Sequence, residues 1–180
     1  MKSRSVYYAA ALLLSFLSSQ AIAQLVISDD RGCKVLNSNP QPGESITWSG
    51  NCRDDYADGQ GALQWFRDGK AGSRYEGNMI KGRYNGKGIN TYANGNIYDG
   101  DWVDGKRSGR GTHTWANGDR YAGSWANGNQ SGKGTYTWAN GVRSEGIFVD
   151  GKFTNGIEYD RDGAVVATYI NGQKQPSNKQ

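Results

Sequence analysis

The stretch from Tyr98 to Arg120 reads YDGDWVDGKRSGRGTHTWANGDR, and it decides the fold because its pattern recurs. Residues 75–97 read YEGNMIKGRYNGKGINTYANGNI and residues 121–143 read YAGSWANGNQSGKGTYTWANGVR, so three units follow one another with a period of 23 residues. A degenerate unit precedes them from Trp48, and a weaker one follows and ends at Gly163. Residues 48–163 are therefore one repeat array of about five units.

Each unit is predicted to fold as a β-hairpin. We number its residues from 1 to 23, starting at the tyrosine (Tyr75, Tyr98 and Tyr121). Positions 1, 3 and 5 carry Tyr, Gly and a large apolar residue, whereas positions 2 and 4 are mostly polar, which is the period-two alternation of a strand. Asp-Gly or Asn-Gly at positions 7 and 8, and Asn-Gly at positions 20 and 21, predict two-residue hairpin turns. The chain is thus predicted to be all-β: an elongated, twisted antiparallel meander of 23-residue β-hairpins.

Aromatic rings packed over glycine are predicted to form the core. From Gln24 onward the chain holds 18 Trp, Tyr and Phe residues but only three Leu residues, too few for an aliphatic core. Glycine is unfavourable inside a strand unless a neighbouring group fills its space. Four glycines occupy such positions, and rings from the same or adjacent strands can cover them: Gly77, Gly100, Gly123 and Gly146.

The pattern Y-x-G-x-W-x-x-G-x-x-x-G-x-G closely resembles the MORN (membrane occupation and recognition nexus) repeat. It is carried by Tyr98, Gly100, Trp102, Gly105, Gly109 and Gly111, and again in the next unit. The resemblance implies a curved or twisted antiparallel sheet with protein-binding, dimerising or lipid-associated roles, and it implies no activity by itself. The segment CKVLNSNPQPGESITWSGNC, residues 33–52, resembles the cap found before such repeats in exported proteobacterial MORN proteins. Asp55 stands where the family has Gly.

The N-terminus has the pattern of a secretory signal peptide, residues 1–23. Lys2 and Arg4 precede an apolar run, and Ala21-Ile22-Ala23 forms a small-x-small cleavage site. The mature protein is predicted to be exported, to the periplasm or beyond the cell. No Cys follows the cleavage site, so no lipid anchor is expected.

Cys33 and Cys52 are the two cysteines of the chain, and export favours a disulfide between them. A reactive thiol pair or half of a metal site would need a CxxC motif or a nearby histidine, and neither is present. We expect residues 24–47 to form an N-terminal cap that the disulfide ties to the first unit. After the array, residues 164–172 are predicted to form a closing strand and residues 173–180 a disordered tail.

Composition and motifs argue against several classes of function. Without Lys2 and Arg4 the chain has 19 basic and 17 acidic residues, a balance that disfavours a nucleic-acid binder. Gly128 to Thr135 imitates a P-loop but lacks its spacing and its strand-to-helix context. His113 could be combined with Ser108 and Asp119 only on paper, because position 16 varies between units. No enzyme, cofactor or metal site is therefore predicted.

Two surfaces are candidate binding sites. An aromatic stripe could stack on sugars or accept an apolar peptide, unless it is wholly structural: Tyr98, Trp102, Trp115, Tyr121, Trp125 and Trp138. A basic flank could bind an anionic lipid, a glycan or an acidic protein, unless it is only solvated: Lys81, Arg83, Lys87, Lys106, Arg107, Arg110, Lys133 and Lys152. A ladder of exposed charge pairs is expected opposite the aromatic residues, between Arg74, Arg120 and Arg143 and the acids Glu76, Asp99 and Glu145.

The first functional hypothesis is a non-catalytic, exported scaffold that binds another envelope protein, or a second copy of itself through an open edge strand. The alternative is a binder of envelope carbohydrate or anionic lipid that uses the aromatic stripe and the basic flank. The identity of the partner, the oligomeric state and the openness of the aromatic face are left open by the sequence.

Overall fold

Residues 26–176 are described by the structure, a computed structural model, and they form one open β-sheet with no helix among them. From β5 onward every strand pairs antiparallel with the next, which confirms the predicted all-β meander. Each full unit supplies one hairpin, the first being β6 and β7. The strands are β1 (Val26–Ser28), β2 (Lys34–Leu36), β3 (Glu44–Trp48), β4 (Asn51–Arg53), β5 (Tyr56–Arg67), β6 (Lys70–Ile80), β7 (Arg83–Thr91), β8 (Ile97–Val103), β9 (Lys106–Thr114), β10 (Arg120–Ala126), β11 (Asn129–Thr137), β12 (Arg143–Val149), β13 (Lys152–Tyr159), β14 (Val165–Ile170) and β15 (Gln173–Pro176).

The turn at positions 7 and 8 is the predicted two-residue hairpin turn. Asp104 and Gly105 both have positive φ, 48° and 78°, and the equivalent pairs of the neighbouring units do the same. Such a turn follows the right-handed twist of the strands that it joins. The leading unit makes the same kind of two-residue turn between β4 and β5, with Asp54 and Asp55 at φ of 51° and 65°. Asp can replace Gly there because it tolerates the left-handed region better than most residues.

The second turn differs from the prediction, because it contains three residues rather than two. The Tyr92 N–H donates to Asn96 O at 2.8 Å and the Gly95 N–H donates to Tyr92 O at 2.9 Å. Of the three loop residues, only Gly95 has a positive φ, 86°. This is a type I turn followed by a left-handed glycine, and the Asn94 side chain supports it by accepting the Asn96 N–H at 3.1 Å.

The two glycines of the G-x-G motif have different roles. Gly109 has a φ of 58° and lies where the pairing of β8 and β9 shifts register, so it supplies a bulge. Gly111 lies beneath the ring of Tyr98. In the fourth unit Gly146 still pairs with Gly156, but the bulge is one residue shorter. Gly156 therefore stands at position 13 of the fourth unit, whereas the equivalent glycines stand at position 14 of the other units.

The core is a column of aromatic rings on one face of the sheet, the inner face, which carries positions 1, 3 and 5. The buried ring of Tyr98 covers Gly100 and Gly111, since a Cβ on Gly100 would lie 2.7 Å from the Tyr98 hydroxyl and a Cβ on Gly111 would lie 2.6 Å from Cζ. Trp102 and Trp125 meet this ring edge-on, with centroids 4.9 and 5.2 Å away. The rings therefore fill the space that the glycines leave.

The N-terminal segment packs along the free edge of β5. β3 pairs with the second half of β5, and β4 pairs with its first three residues. The predicted disulfide between Cys33 and Cys52 is present, with the two Cα atoms 5.7 Å apart. It connects the segment between β1 and β2 to β4, which lies within the leading unit.

The C-terminal prediction needs correction. Residues 173–176 were expected in a disordered tail but form β15, and the predicted closing strand is β14, which is not the last strand. The reason is Asn171-Gly172, a two-residue turn with φ of 50° and 78° that makes a further hairpin. Residues 177–180, like the predicted signal peptide 1–23, lie outside the described residues.

Candidate functional site

The aromatic stripe is mostly interior. Tyr98 and Tyr121 are fully buried, and Trp102 and Trp125 are only 4% and 5% exposed. The indole nitrogens of these two Trp residues donate to backbone oxygens of the preceding unit, at 3.0 and 3.1 Å. These four residues are therefore structural, which was the alternative that the sequence left open, and they offer no exposed stripe in the folded protein.

A second line of rings on the inner face remains half-exposed. Trp115 lies 4.4 Å from His113 and 5.2 Å from Tyr136, and Tyr136 lies 4.7 Å from Trp138. The line runs along positions 16 and 18 of successive units. Tyr136 was missed from the sequence, although its position parity and its proximity to Trp138 could have indicated it.

Arg107 and His113 form a partly buried polar cluster on the inner face. The Arg107 guanidinium donates to His113 Nδ1 at 2.9 Å and to Gly128 O at 2.6 Å, and it stacks 4.4 Å from the Trp125 ring. Because a guanidinium only donates, Nδ1 is an acceptor and His113 is neutral. Burial, with the charge of Arg107 as a second cause, lowers the pKa of His113 to about 4. Arg107 is thus structural and lies on the opposite face from most of the predicted basic flank.

The remaining candidate triad members do not join His113. Ser108 pairs with Asp101 on the other face of the sheet. Asp119 accepts hydrogen bonds from the Tyr136 hydroxyl at 2.8 Å and from the Ala139 N–H at 2.9 Å. The structure therefore brings His113 together with a cation and aromatic rings.

An open groove of about 660 Å³ runs across the outer face of the sheet, which is the face opposite the aromatic column. We call it the outer groove. Lys87, Arg110 and Lys133 lie along one side, each at position 13 of its unit, and all three are exposed. They occupy alternate strands, so neighbouring cations are about 10 Å apart. Thr112 and Thr135 line the other side, and the floor is glycine backbone.

Charge in the outer groove is only partly compensated. Lys87 Nζ lies 2.7 Å from Asp101 Oδ1, and this contact, helped by the Arg110 N–H, holds the pKa of the Asp101 carboxyl below its usual value. Asp99 also lines the groove. The outer groove is therefore lined by three basic residues and one acidic residue, and one of the basic residues is paired with Asp101 beside the groove.

Exposed apolar side chains border the basic residues near the first turn. Ile80, Val103 and Val149 are 48%, 52% and 51% exposed. Each is paired across the hairpin with a basic residue of the predicted flank, namely Arg83, Lys106 and Lys152 respectively. The edge of the outer face thus repeats an apolar and basic pair in three units.

The charge ladder is present in two units. Arg74 forms an ion pair with Glu76, and Arg143 Nε lies 2.7 Å from Glu145 Oε1. Before Tyr121, Arg120 instead donates to the Thr112 hydroxyl at 3.2 Å. Such exposed pairs contribute about 0 to 1 kcal/mol each.

A comparison with known families finds a match for three units of this array. The family model of the MORN repeat matches residues 75–97, 98–120 and 121–143. These three consecutive units therefore match the MORN repeat. Their boundaries coincide with the units numbered from Tyr75, Tyr98 and Tyr121. No curated protein matches the chain.

Within the MORN repeats, the outer groove and the aromatic column use different positions of the same strands. Glycines at positions 3 and 14 support rings on the inner face and leave bare backbone on the outer face. Position 13 is basic in all three repeats. Proteins with MORN repeats are generally associated with protein or membrane-lipid interaction. No helix within residues 26–176 has the length and apolarity to cross a bilayer.

Proposed function

We propose that this protein is a non-catalytic scaffold of the cell envelope that binds another protein through the outer groove. The observation that carries the proposal is the regular row of Lys87, Arg110 and Lys133, which the fold does not need for its core. The partner is expected to present acidic side chains toward this row. Complementary charge favours both fast association and selection of the partner.

A non-catalytic role is supported by the surroundings of His113. Its Nδ1 accepts from Arg107, its Nε2 is buried, and its low pKa keeps it neutral at physiological pH. Ser108 lies on the other face. These features disfavour His113 as a general base acting on an external substrate.

A location in the periplasm is supported by two features. The Cys33–Cys52 disulfide is stable in an oxidising compartment, and the first 23 residues have the pattern of a signal peptide. Self-association is a further form of the same proposal, because β15 is the last strand of the sheet and pairs with β14 on one side.

The test is site-specific photocrosslinking in the native envelope. A photoreactive residue in place of Ala122, which lines the outer groove, is expected to trap one defined protein or a second copy of this chain. Reversal of the row with Arg110→Glu and Lys133→Glu should reduce the yield at least about tenfold. Arg53→Glu and Arg161→Glu make the same charge change at exposed sites elsewhere and should leave the yield unchanged. Equal yields from the two double variants would contradict the proposal.

A second candidate function is binding of envelope carbohydrate or anionic lipid. The basic and apolar pairs beside the first turn favour a lipid surface, and the half-exposed rings of Trp115 and Trp138 favour a glycan. Sedimentation with anionic liposomes and with peptidoglycan separates the two ligands. Trp115→Ala is the informative variant for the glycan, because loss of the buried Trp102 would also damage the core.

A further inference from the structure

The fourth unit departs from the other three at position 1. Tyr75, Tyr98 and Tyr121 hold that position in the MORN repeats, whereas the fourth unit has Ser144, which is 2% exposed. No Tyr ring is there to cover the glycines of this unit. The end of the Phe153 ring covers Gly156, 2.7 Å from where a Cβ would lie, and so fills part of the missing volume.

Beside this position lies a cavity of about 220 Å³ with Ser144 in its wall. We call it the Ser144 pocket. Its other walls are mainly aromatic, with one carboxylate: Tyr136, Trp138, Phe148, Phe153, Tyr169 and Glu158. Phe153 lies 5.1 Å from Phe148 and 5.0 Å from Tyr169, so the rings form a continuous wall. The pocket is smaller than the roughly 300 to 1,000 Å³ typical of drug-sized ligands, which suits one small group.

The wall of the Ser144 pocket already binds an ammonium group. Glu158 is mostly buried, with its side chain 13% exposed, and it accepts from Lys174 Nζ at 2.7 Å and from the Tyr169 hydroxyl at 3.1 Å. The Lys174 ammonium also lies 5.8 Å from the centre of the Tyr169 ring. A carboxylate and aromatic faces are therefore placed together as a cation site requires.

We propose that the Ser144 pocket binds a quaternary ammonium group, either the free choline ion or the choline headgroup of a lipid. Aromatic faces attract the positive charge, and their apolar surface suits the methyl groups. Glu158 adds an opposite charge and disfavours anions.

Isothermal titration calorimetry with choline chloride and with tetramethylammonium chloride tests the site, with sodium acetate as the blank. Saturable binding of both cations is expected. Ser144→Tyr restores the repeat residue, fills the pocket and should abolish binding. Trp138→Ala should weaken binding about tenfold. Trp115→Ala, which removes a ring outside the pocket, should not change it.

Two charge variants separate a binding role from a structural one. Glu158→Gln should weaken binding at least about tenfold, whereas Lys174→Gln should tighten it a few-fold because the competing ammonium is removed. Circular dichroism verifies that each variant is folded, and Glu158→Gln serves as the test if Ser144→Tyr does not fold. Flotation with phosphatidylcholine vesicles then identifies the source: capture by the wild type but not by Ser144→Tyr assigns the lipid headgroup, and no capture assigns the free ion.

Binding weaker than about 10 mM would overturn the proposal. Equal binding by wild type and Ser144→Tyr, or tighter binding by Glu158→Gln, would overturn it as well.

Discussion

Replacing Tyr98 with alanine is expected to lower the free energy of unfolding by about 3–5 kcal/mol, as for other large buried side chains. The ring is fully buried, covers Gly100 and Gly111, and contacts Trp102 and Trp125 edge-on. Removal of the ring leaves a cavity above Gly100 and Gly111, and these glycines have no side chains that could fill it. Urea unfolding followed by circular dichroism measures the change.

Tyr98→Phe is the matched control for the ring. It keeps the packing and removes only the hydrogen bond from the hydroxyl to Asp101 O, 3.1 Å long, so it should cost about 1 kcal/mol. A Tyr98→Ala variant no less stable than Tyr98→Phe would show that the ring contributes little.

The second large effect is a loss of stability as the pH falls through the range set by His113. The folded pKa is about 4 and the unfolded value is about 6.5. The stabilisation is therefore fully present above pH 6.5. It is lost as the pH falls toward 4, because the unfolded state binds the proton more tightly. The slope should reach about 1.4 kcal/mol per pH unit, with a total of about 3 kcal/mol.

Urea midpoints measured from pH 7.5 to pH 4.5 test this effect. His113→Asn is the control, because Asn90 occupies the same position in the first repeat. Its stability should change little over this range. Three carboxyl groups have pKa values lowered below 3.8, those of Asp29, Asp101 and Asp119. Their protonation should reduce stability only at pH values below this range. Parallel pH profiles for wild type and His113→Asn would contradict the assignment.

Much of the fold could be predicted from the sequence because the 23-residue period repeats local signals. Asp-Gly and Asn-Gly marked the first turns, and in-strand glycines marked the places that rings cover. The second turn was assigned one residue too few, because Asn-Gly also ends a type I turn in which only the glycine is left-handed. Asn171-Gly172 carried the same signal as the other turns, but the polar residues after it hid the strand that it starts.

The candidate surfaces were harder to predict, because alternation does not say which inner-face rings remain exposed. Trp102 and Trp115 have the same parity, yet Trp102 lies between two buried Tyr rings while Trp115 lies near a hairpin end. Arg107 was grouped with Arg110 by proximity in sequence, but the two residues are three apart, so strand alternation places their side chains on opposite faces. Ser144 in place of Tyr is visible in the sequence, but the Ser144 pocket could not be predicted because its walls come mainly from four strands, β11 to β14.

A double-mutant cycle between Tyr98→Ala and Gly111→Ala tests most directly whether tyrosine rings occupy the space above glycines. In the wild-type background Gly111→Ala should cost about 2–3 kcal/mol, because the three nearest atoms to the new Cβ all belong to the Tyr98 ring and its hydroxyl. In the Tyr98→Ala background the same change should cost little, giving a coupling energy above about 1 kcal/mol. Equal costs of Gly111→Ala in the two backgrounds would contradict the account.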